Sequence, residues 1–241
     1  MKKFCLLLVI FNVAVNYASV PNDSLMIFKK NRQFVYRAFY IDSNNDTLTE
    51  ENIFIKSLGV PWEYQKSQIK YTLTYFPTDS VLETIKKATI KKRKKWEPVN
   101  KAKTVTSGLI ETSKYIWMHP FRHNQYLYTE LAPFPSVNLD SLIVGKSWDG
   151  GVLFILSGWG KFKGRVHSCY EVVKQTDYFF MDTVLTDCWE IKAIGVHNKL
   201  GENNLQFIFH KEFGFLQMNY SFYDGVKIVF KLEDILYDIG L

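Results

Sequence analysis

The chain has 241 residues, 47% hydrophobic and 16% aromatic, with 13 glycines. This composition excludes a disordered chain and leaves enough length for one large core that needs neither a metal nor a disulfide to hold it. The formal charge of +6 is local: Lys2 and Lys3 sit at the N-terminus, residues 86–95 carry seven positive charges and no acid, and the remainder nets to −3, which excludes a broad nucleic-acid surface.

In chain order, residues 1–18 read as a secretory signal peptide. Lys2 and Lys3 precede an apolar run over 4–15, and Asn16-Tyr17-Ala18-Ser19 supplies small residues at a cleavage point. The run is about a dozen residues, short of the roughly 20 that span a bilayer as a helix, so a retained anchor is the weaker alternative. Cys5 lies inside the run and is not placed for acylation at a new N-terminus. The expectation is an exported protein, periplasmic or extracellular and soluble after cleavage, with residues 19–241 forming a single β-rich domain.

Strand periodicity begins with "FVYRAFYI" (34–41), continues in "NIFIKSL" after the turn cluster "SNND", and recurs in "IKYTLTYF", where Ile69, Tyr71, Leu73 and Tyr75 share a face. One helix is predicted over about 80–96. Ser80 and Glu83 form a capping-box pattern, Val81, Leu82, Ile85 and Thr89 make an apolar side, and lysines collect toward the C-terminal end, where the helix dipole favours them. Pro98 ends it, and "VNKAKTVTSG" (99–108) reads as a loop. From Leu109 onward "ETSKYIWMH", "VLFILSG", "RVHSCYEVV", "CWEIKAIG", "LQFIFH", "GFLQMNYSF" and "VKIVFKL" read as strands, with hairpin signals at "GENN" and "YDGVK". The fold class is therefore mainly β, α+β at most: an antiparallel curved sheet or half-open barrel with one long basic helix against its concave face or edge.

The succession "WMHPFR", "ELAPFPSV", "GKSWDG", "DCWEIKA", "FIFHKEFGFLQMNY" and "DGVKIVFKLE" resembles a family of uncharacterised exported proteins from Bacteroidetes-type bacteria. Their C-terminal half is similar to β-rich periplasmic domains of unknown function, distant structural relatives of lipoprotein carrier proteins. Relatives place a Gly four residues ahead of the Cys-aromatic pair where this chain has Val184, which puts the turn over 181–185 in question. The resemblance implies a fold and an exported location, and carries over no catalytic residues.

Among candidate sites, "YIWMHPFRH" (115–123) concentrates functional side chains. Pro120 after His119 forbids the helix that would set His119 and His123 on one face, and no Glu follows His119, so the zincin pattern is absent. A metal site built from His119, His123 and distant ligands is the weaker reading. The bland reading is a strand ending at His119-Pro120, with Arg122 pairing a carboxylate such as Glu130 and the aromatics in the core. The sharper one makes Trp117, His119 and Arg122 ligand-binding.

No G-x-S-x-G occurs, and Ser157 in "ILSGWGK" reads as a loop residue. Cys169 and Cys188 are candidates for a disulfide in an oxidising compartment, the alternative being two separate strand residues. Lys91, Lys92, Arg93, Lys94 and Lys95 offer a partner- or membrane-surface patch, against the bland reading of a solvated helix face. The expected function is non-catalytic: an envelope or periplasmic protein holding an apolar ligand, such as a lipid, or another envelope protein. Trp117, Trp148, Trp159, Trp189 and Phe209 are candidate lining residues. No cofactor, metal or nucleic acid is called for. The alternatives are a secreted hydrolase using His119 with a carboxylate such as Asp149, and a module acting through the basic helix.

Overall fold

The computed structural model describes residues 25–77, 79, 103–155 and 162–237. The predicted leader, the whole predicted helix with Lys91 to Lys95, and the loop holding Ser157 and Trp159 lie outside the described residues.

Twelve strands form one antiparallel sheet: β1 (Arg32–Ile41), β2 (Thr47–Trp62), β3 (Gln65–Pro77), β4 (Lys103–Glu111), β5 (Tyr115–Met118), β6 (Ser136–Asn138), β7 (Ser147–Ile155), β8 (Gly164–Phe180), β9 (Thr183–His197), β10 (Gly201–His210), β11 (Gly214–Ser221) and β12 (Lys227–Tyr237). Their order is β6-β5-β4-β3-β2-β1-β12-β11-β10-β9-β8-β7. Two meanders are thus joined where β1 pairs with β12, and the sequence neighbours β6 and β7 become the two edges of a nearly closed barrel. Alternation fixes which side faces in. Phe34, Tyr36 and Ala38 of β1, Ile53 and Ile55 of β2, Tyr71, Leu73 and Tyr75 of β3, and Ile228, Phe230 and Leu232 of β12 are all at most 2% exposed.

The interior is not hollow along the stretch that residues 119–135 occupy. After β5 the chain dives into the barrel, makes a 3-10 segment at Asn124–Leu131, and returns to the edge as β6. Phe121 packs edge-on against Tyr36 (5.1 Å between ring centroids) and Phe230 (4.4 Å). Tyr126 stacks on Tyr75 and meets Phe230. Polar groups anchor this plug to both halves of the sheet: the Tyr71 hydroxyl donates to His119 O (2.8 Å), and the Tyr170 hydroxyl to Phe134 O (2.7 Å). Gln125 Nε2 donates to Glu51 Oε1 at 2.7 Å, and Thr129 Oγ1 to Phe121 O and Tyr126 O, both at 2.9 Å. A buried irregular segment needs such partners for its backbone and side chains.

The segment before β1 is held by one carboxylate and one guanidinium. Glu111 accepts the backbone N–H groups of Met26, Ile27 and Phe28, each at 2.8 Å. Arg32, 2% exposed, donates to Met26 O, Ile27 O and Glu212 O.

Four expectations are corrected or sharpened. "VNKAKTVTSG" is not all loop: β4 begins at Lys103, and Ser107 and Leu109 alternate inward from it. "GENN" belongs to the start of β10, and the turn precedes it at residues 198–200; "YDGVK" does hold a turn, with Gly225 at φ +84°. Val184 is a strand residue opposite Phe179. The β8–β9 turn is the two-residue pair Met181 (φ 47°) and Asp182 (φ 61°), a doubly left-handed hairpin loop that usually recruits Asn and Gly. The Cys169–Cys188 bridge is absent: both thiols are free, Cys169 exposed and Cys188 buried. Cys188 pairs across the ladder with Thr176, about 23 Å along β8 from Cys169 at roughly 3.3 Å per residue.

Candidate functional site

The candidate residues at the end of β5 do not act as one group. In β5, Ile116 and Met118 face the core, so alternation puts Trp117 on the other face, and His119 follows it there as the strand ends. Their rings meet at 4.6 Å. Arg122 turns away to Glu130, Nη1 to Oε1 at 2.8 Å, the carboxylate pairing expected of it.

The other walls come from elsewhere in the chain. Gly59 (φ 62°) and the register shifts around Pro61 break the β2–β3 ladder and swing Trp62 toward β4. The Trp62 ring lies 6.0 Å from His119 and 5.6 Å from Tyr64, which is 80% exposed. Phe134, arriving from the plug, sits 5.6 Å from His119 and 5.8 Å from Trp117. Gly108 makes room beneath: a Cβ there would strike the Gln68 amide and come within 2.6 Å of Trp62. A rim of three aromatic rings, Trp62, Trp117 and Phe134, around one imidazole results, with Gln68 buried at its floor.

Three polar atoms in this rim are buried without a hydrogen-bond partner among the described residues: Trp62 Nε1, Gln68 Oε1 and His119 Nδ1. Burial, and secondarily the Arg122 guanidinium, pushes the His119 pKa down to about 3. The ring is therefore neutral, one nitrogen able to donate and the other to accept. The rim can offer an indole donor, an amide acceptor and a neutral imidazole inside apolar walls. That suits an uncharged or weakly polar group on an apolar ligand, and does not suit proton transfer near neutral pH.

The His119–Asp149 pairing is not formed. Asp149 lies exposed on β7, and its Oδ1 is 3.0 Å from His167 Nε2. His123 rests against Tyr75 (5.3 Å), and neither it nor His119 falls in a cluster of metal-ligating groups among the described residues. Trp148, stacked on Tyr170, and Trp189 pack against the core, and Phe209 is fully buried in it, so these three are structural. Trp62, Tyr64, Gln68 and Phe134 were missed as site residues. The available signal was the Gly-Val-Pro break ahead of Trp62 in a strand that otherwise alternates.

A cleft of about 550 Å³ lies elsewhere, between the β8–β9 turn (Phe179, Phe180, Met181, Asp182) and residues 231–234 of β12. No helix among the described residues is long and apolar enough to cross a membrane.

No protein-family model matches the sequence, and no curated protein matches it. Among solved structures, the chain is similar to a protein named as an exported one with a YmcC-like fold from Bacteroides fragilis, at 8% identity and a TM-score of 0.43, covering 88% of this chain and 98% of that one. It is also similar to a protein named as a lipoprotein from Parabacteroides distasonis, at 8% identity and TM-score 0.38, over 88% and 97% of the two chains. A domain named for outer-membrane lipoprotein sorting, from Vibrio parahaemolyticus, matches at 8% identity and TM-score 0.37, over 88% and 87%.

Proposed function

We propose that the protein is an exported, non-catalytic binding protein of the cell envelope, and that it takes an apolar ligand at the rim formed by Trp62, Gln68, Trp117, His119 and Phe134. The observation that carries this reading is the set of three polar atoms, Trp62 Nε1, Gln68 Oε1 and His119 Nδ1, buried inside aromatic walls without a partner among the described residues. Each carries a desolvation penalty of about 1–3 kcal/mol that a partner would remove, and what sets these three apart from the other unpartnered buried polar atoms among the described residues is that they share one aromatic rim. The plug directs the reading to the rim: with Phe121 and Tyr126 filling the space between β1, β3 and β12, the centre of the barrel is packed. Export rests on the basic-apolar-small order of residues 1–19.

The test is purification of the mature protein from cell envelopes, followed by native mass spectrometry and extraction of what travels with it. A co-purifying apolar molecule is expected, retained by the parent protein and reduced at least about tenfold in Trp117→Ala and in His119→Ala, each checked for an unchanged far-ultraviolet dichroism spectrum. Protein that emerges free of any ligand, or variants that hold it equally well, would reject the reading.

A further inference from the structure

The outer surface of the β7–β8 hairpin carries a second group of side chains, away from the rim. Asp149, His167 and Cys169 each present a ligand atom, and these three atoms lie within 4.8 Å of one another. The sheet register builds the cluster. His167 and Cys169 are two residues apart on β8 and therefore share a face, and Asp149 is the cross-strand partner of Cys169. All three are exposed.

The carboxylate is held in place by a local device. The β7–β8 ladder shifts register between Asp149 and Gly151, Gly151 takes φ +77°, and its backbone N–H donates to Asp149 Oδ1 at 2.7 Å. That bond turns the carboxylate toward β8, where the same oxygen meets His167 Nε2 at 3.0 Å. A metal ligand is commonly oriented by such an outer hydrogen bond.

We propose that Asp149, His167 and Cys169 form a zinc-binding site on the outer face of the barrel, with the fourth position open to solvent. One carboxylate oxygen, one imidazole nitrogen and one thiolate make a mixed donor set that suits Zn²⁺ in tetrahedral coordination, and with the thiolate and carboxylate both ionised it balances the charge of the ion. Bond lengths of about 2.0–2.3 Å place tetrahedral donors roughly 3.3–3.8 Å apart, so the observed spacing closes on an ion by rotamer adjustments of about an ångström. On binding, the Cys169 Sγ–H bond gives up its proton to water and Sγ coordinates the ion, while His167 releases its Nε2 proton to water and takes one up at Nδ1, staying neutral, so that Nε2 and an Asp149 carboxylate oxygen exchange their hydrogen bond for two bonds to the metal. A Cys-His-Asp catalytic triad is the competing use of these residue types. It lacks a pair of backbone donors aimed at a developing oxyanion, because β8 lies between two strands and its amides serve those ladders.

The experiment uses reduced, metal-free full-length protein in a Cys5→Ser background, so that Cys169 is the one exposed thiol, Cys188 being buried. Titration with Co²⁺ as a spectroscopic substitute should give a thiolate-to-cobalt charge-transfer band that saturates at one equivalent, is displaced by Zn²⁺, and disappears in Cys169→Ser. Zn²⁺ affinity by chelator competition should fall at least about tenfold in His167→Gln and in Asp149→Asn, and Zn²⁺ should slow maleimide labelling of Cys169 by a similar factor. Folding is preserved in these outward-facing variants, which a dichroism spectrum checks. Absence of the charge-transfer band, or Zn²⁺ binding untouched by all three substitutions, would overturn the proposal. Loss of the apolar ligand at the rim would leave it standing, since the two sites share no residue.

Discussion

Glu51 offers the sharpest test of how the plug is held. It projects inward from β2, 3% exposed, and accepts a hydrogen bond from Gln125 Nε2. Burial pushes its pKa from the ordinary 4.5 up to about 6. At 1.36 kcal/mol per pH unit, the ionised form costs the folded protein about 2 kcal/mol relative to the protonated one. The sign follows from the folded value lying above the unfolded one: the contribution is fully present below pH 4.5 and is lost as pH rises through about 6. Glu51→Gln keeps an acceptor for Gln125 and removes the charge. The variant should therefore be more stable than the parent by up to about 2 kcal/mol at pH 7.5, with a melting temperature roughly 4–8 °C higher for a chain of this length, and the difference should vanish near pH 4. Urea unfolding of both proteins at the two pH values measures this directly, since other titrating groups cancel in the comparison. A stability difference that is the same at both pH values, or a variant less stable at pH 7.5, would refute the account of Glu51 as a buried carboxylate strained by its charge.

Three further outcomes are expected. Phe121→Ala, which empties the contact between Tyr36 and Phe230, should lower the unfolding free energy by about 3–5 kcal/mol by denaturant titration. Replacing the Met181-Asp182 turn by Asn-Gly relieves two left-handed residues, and should stabilise the protein by about 0.5–1 kcal/mol while leaving the β8–β9 pairing intact by amide exchange. Glu111→Ala strips the acceptor from the backbone N–H groups of Met26, Ile27 and Phe28, and should cost about 2–4 kcal/mol and expose the segment before β1 to limited proteolysis.

The strands were legible where one face is core and the other solvent, because period two then leaves its mark: "FVYRAFYI" and "IKYTLTYF" lie within observed strands, as does "VKIVFKL" after its first residue. β4 was missed because its alternating set is Val105, Ser107 and Leu109, in which small polar residues stand where a hydrophobic signal was sought. The plug was illegible for a different reason. Residues 119–135 pass through the interior partly buried and, apart from one 3-10 segment, irregular, so they carry the aromatic content of a core element with neither α-helical nor strand period. The rim was half legible: Trp117 and His119 are two residues apart on one strand end, a relation sequence can show. Trp62 and Gln68 reach them through a register break, a relation it cannot.

The strand order also bears on assembly. Because β1 and β12 lie side by side in the middle of the sheet, Arg32 meets Tyr237 and Ile41 meets Lys227, and the contact that unites the two halves joins opposite ends of the polypeptide. Each meander consists of local hairpins that form early, whereas the seam pairs strands separated by the ten others and closes the longest loop among the strand pairs of this sheet. In a chain delivered N-terminus first, β1 would stand with one unpaired ladder until β12 has been delivered, a window in which a foreign strand could pair with it. The converse is modularity. The chain passes from β6 to β7 through residues 139–146, so a cut there would leave two fragments whose natural complement is each other. Split at that linker, the protein becomes a reassembling pair whose affinity reports the central seam together with the plug's contacts to Tyr170 and Phe230.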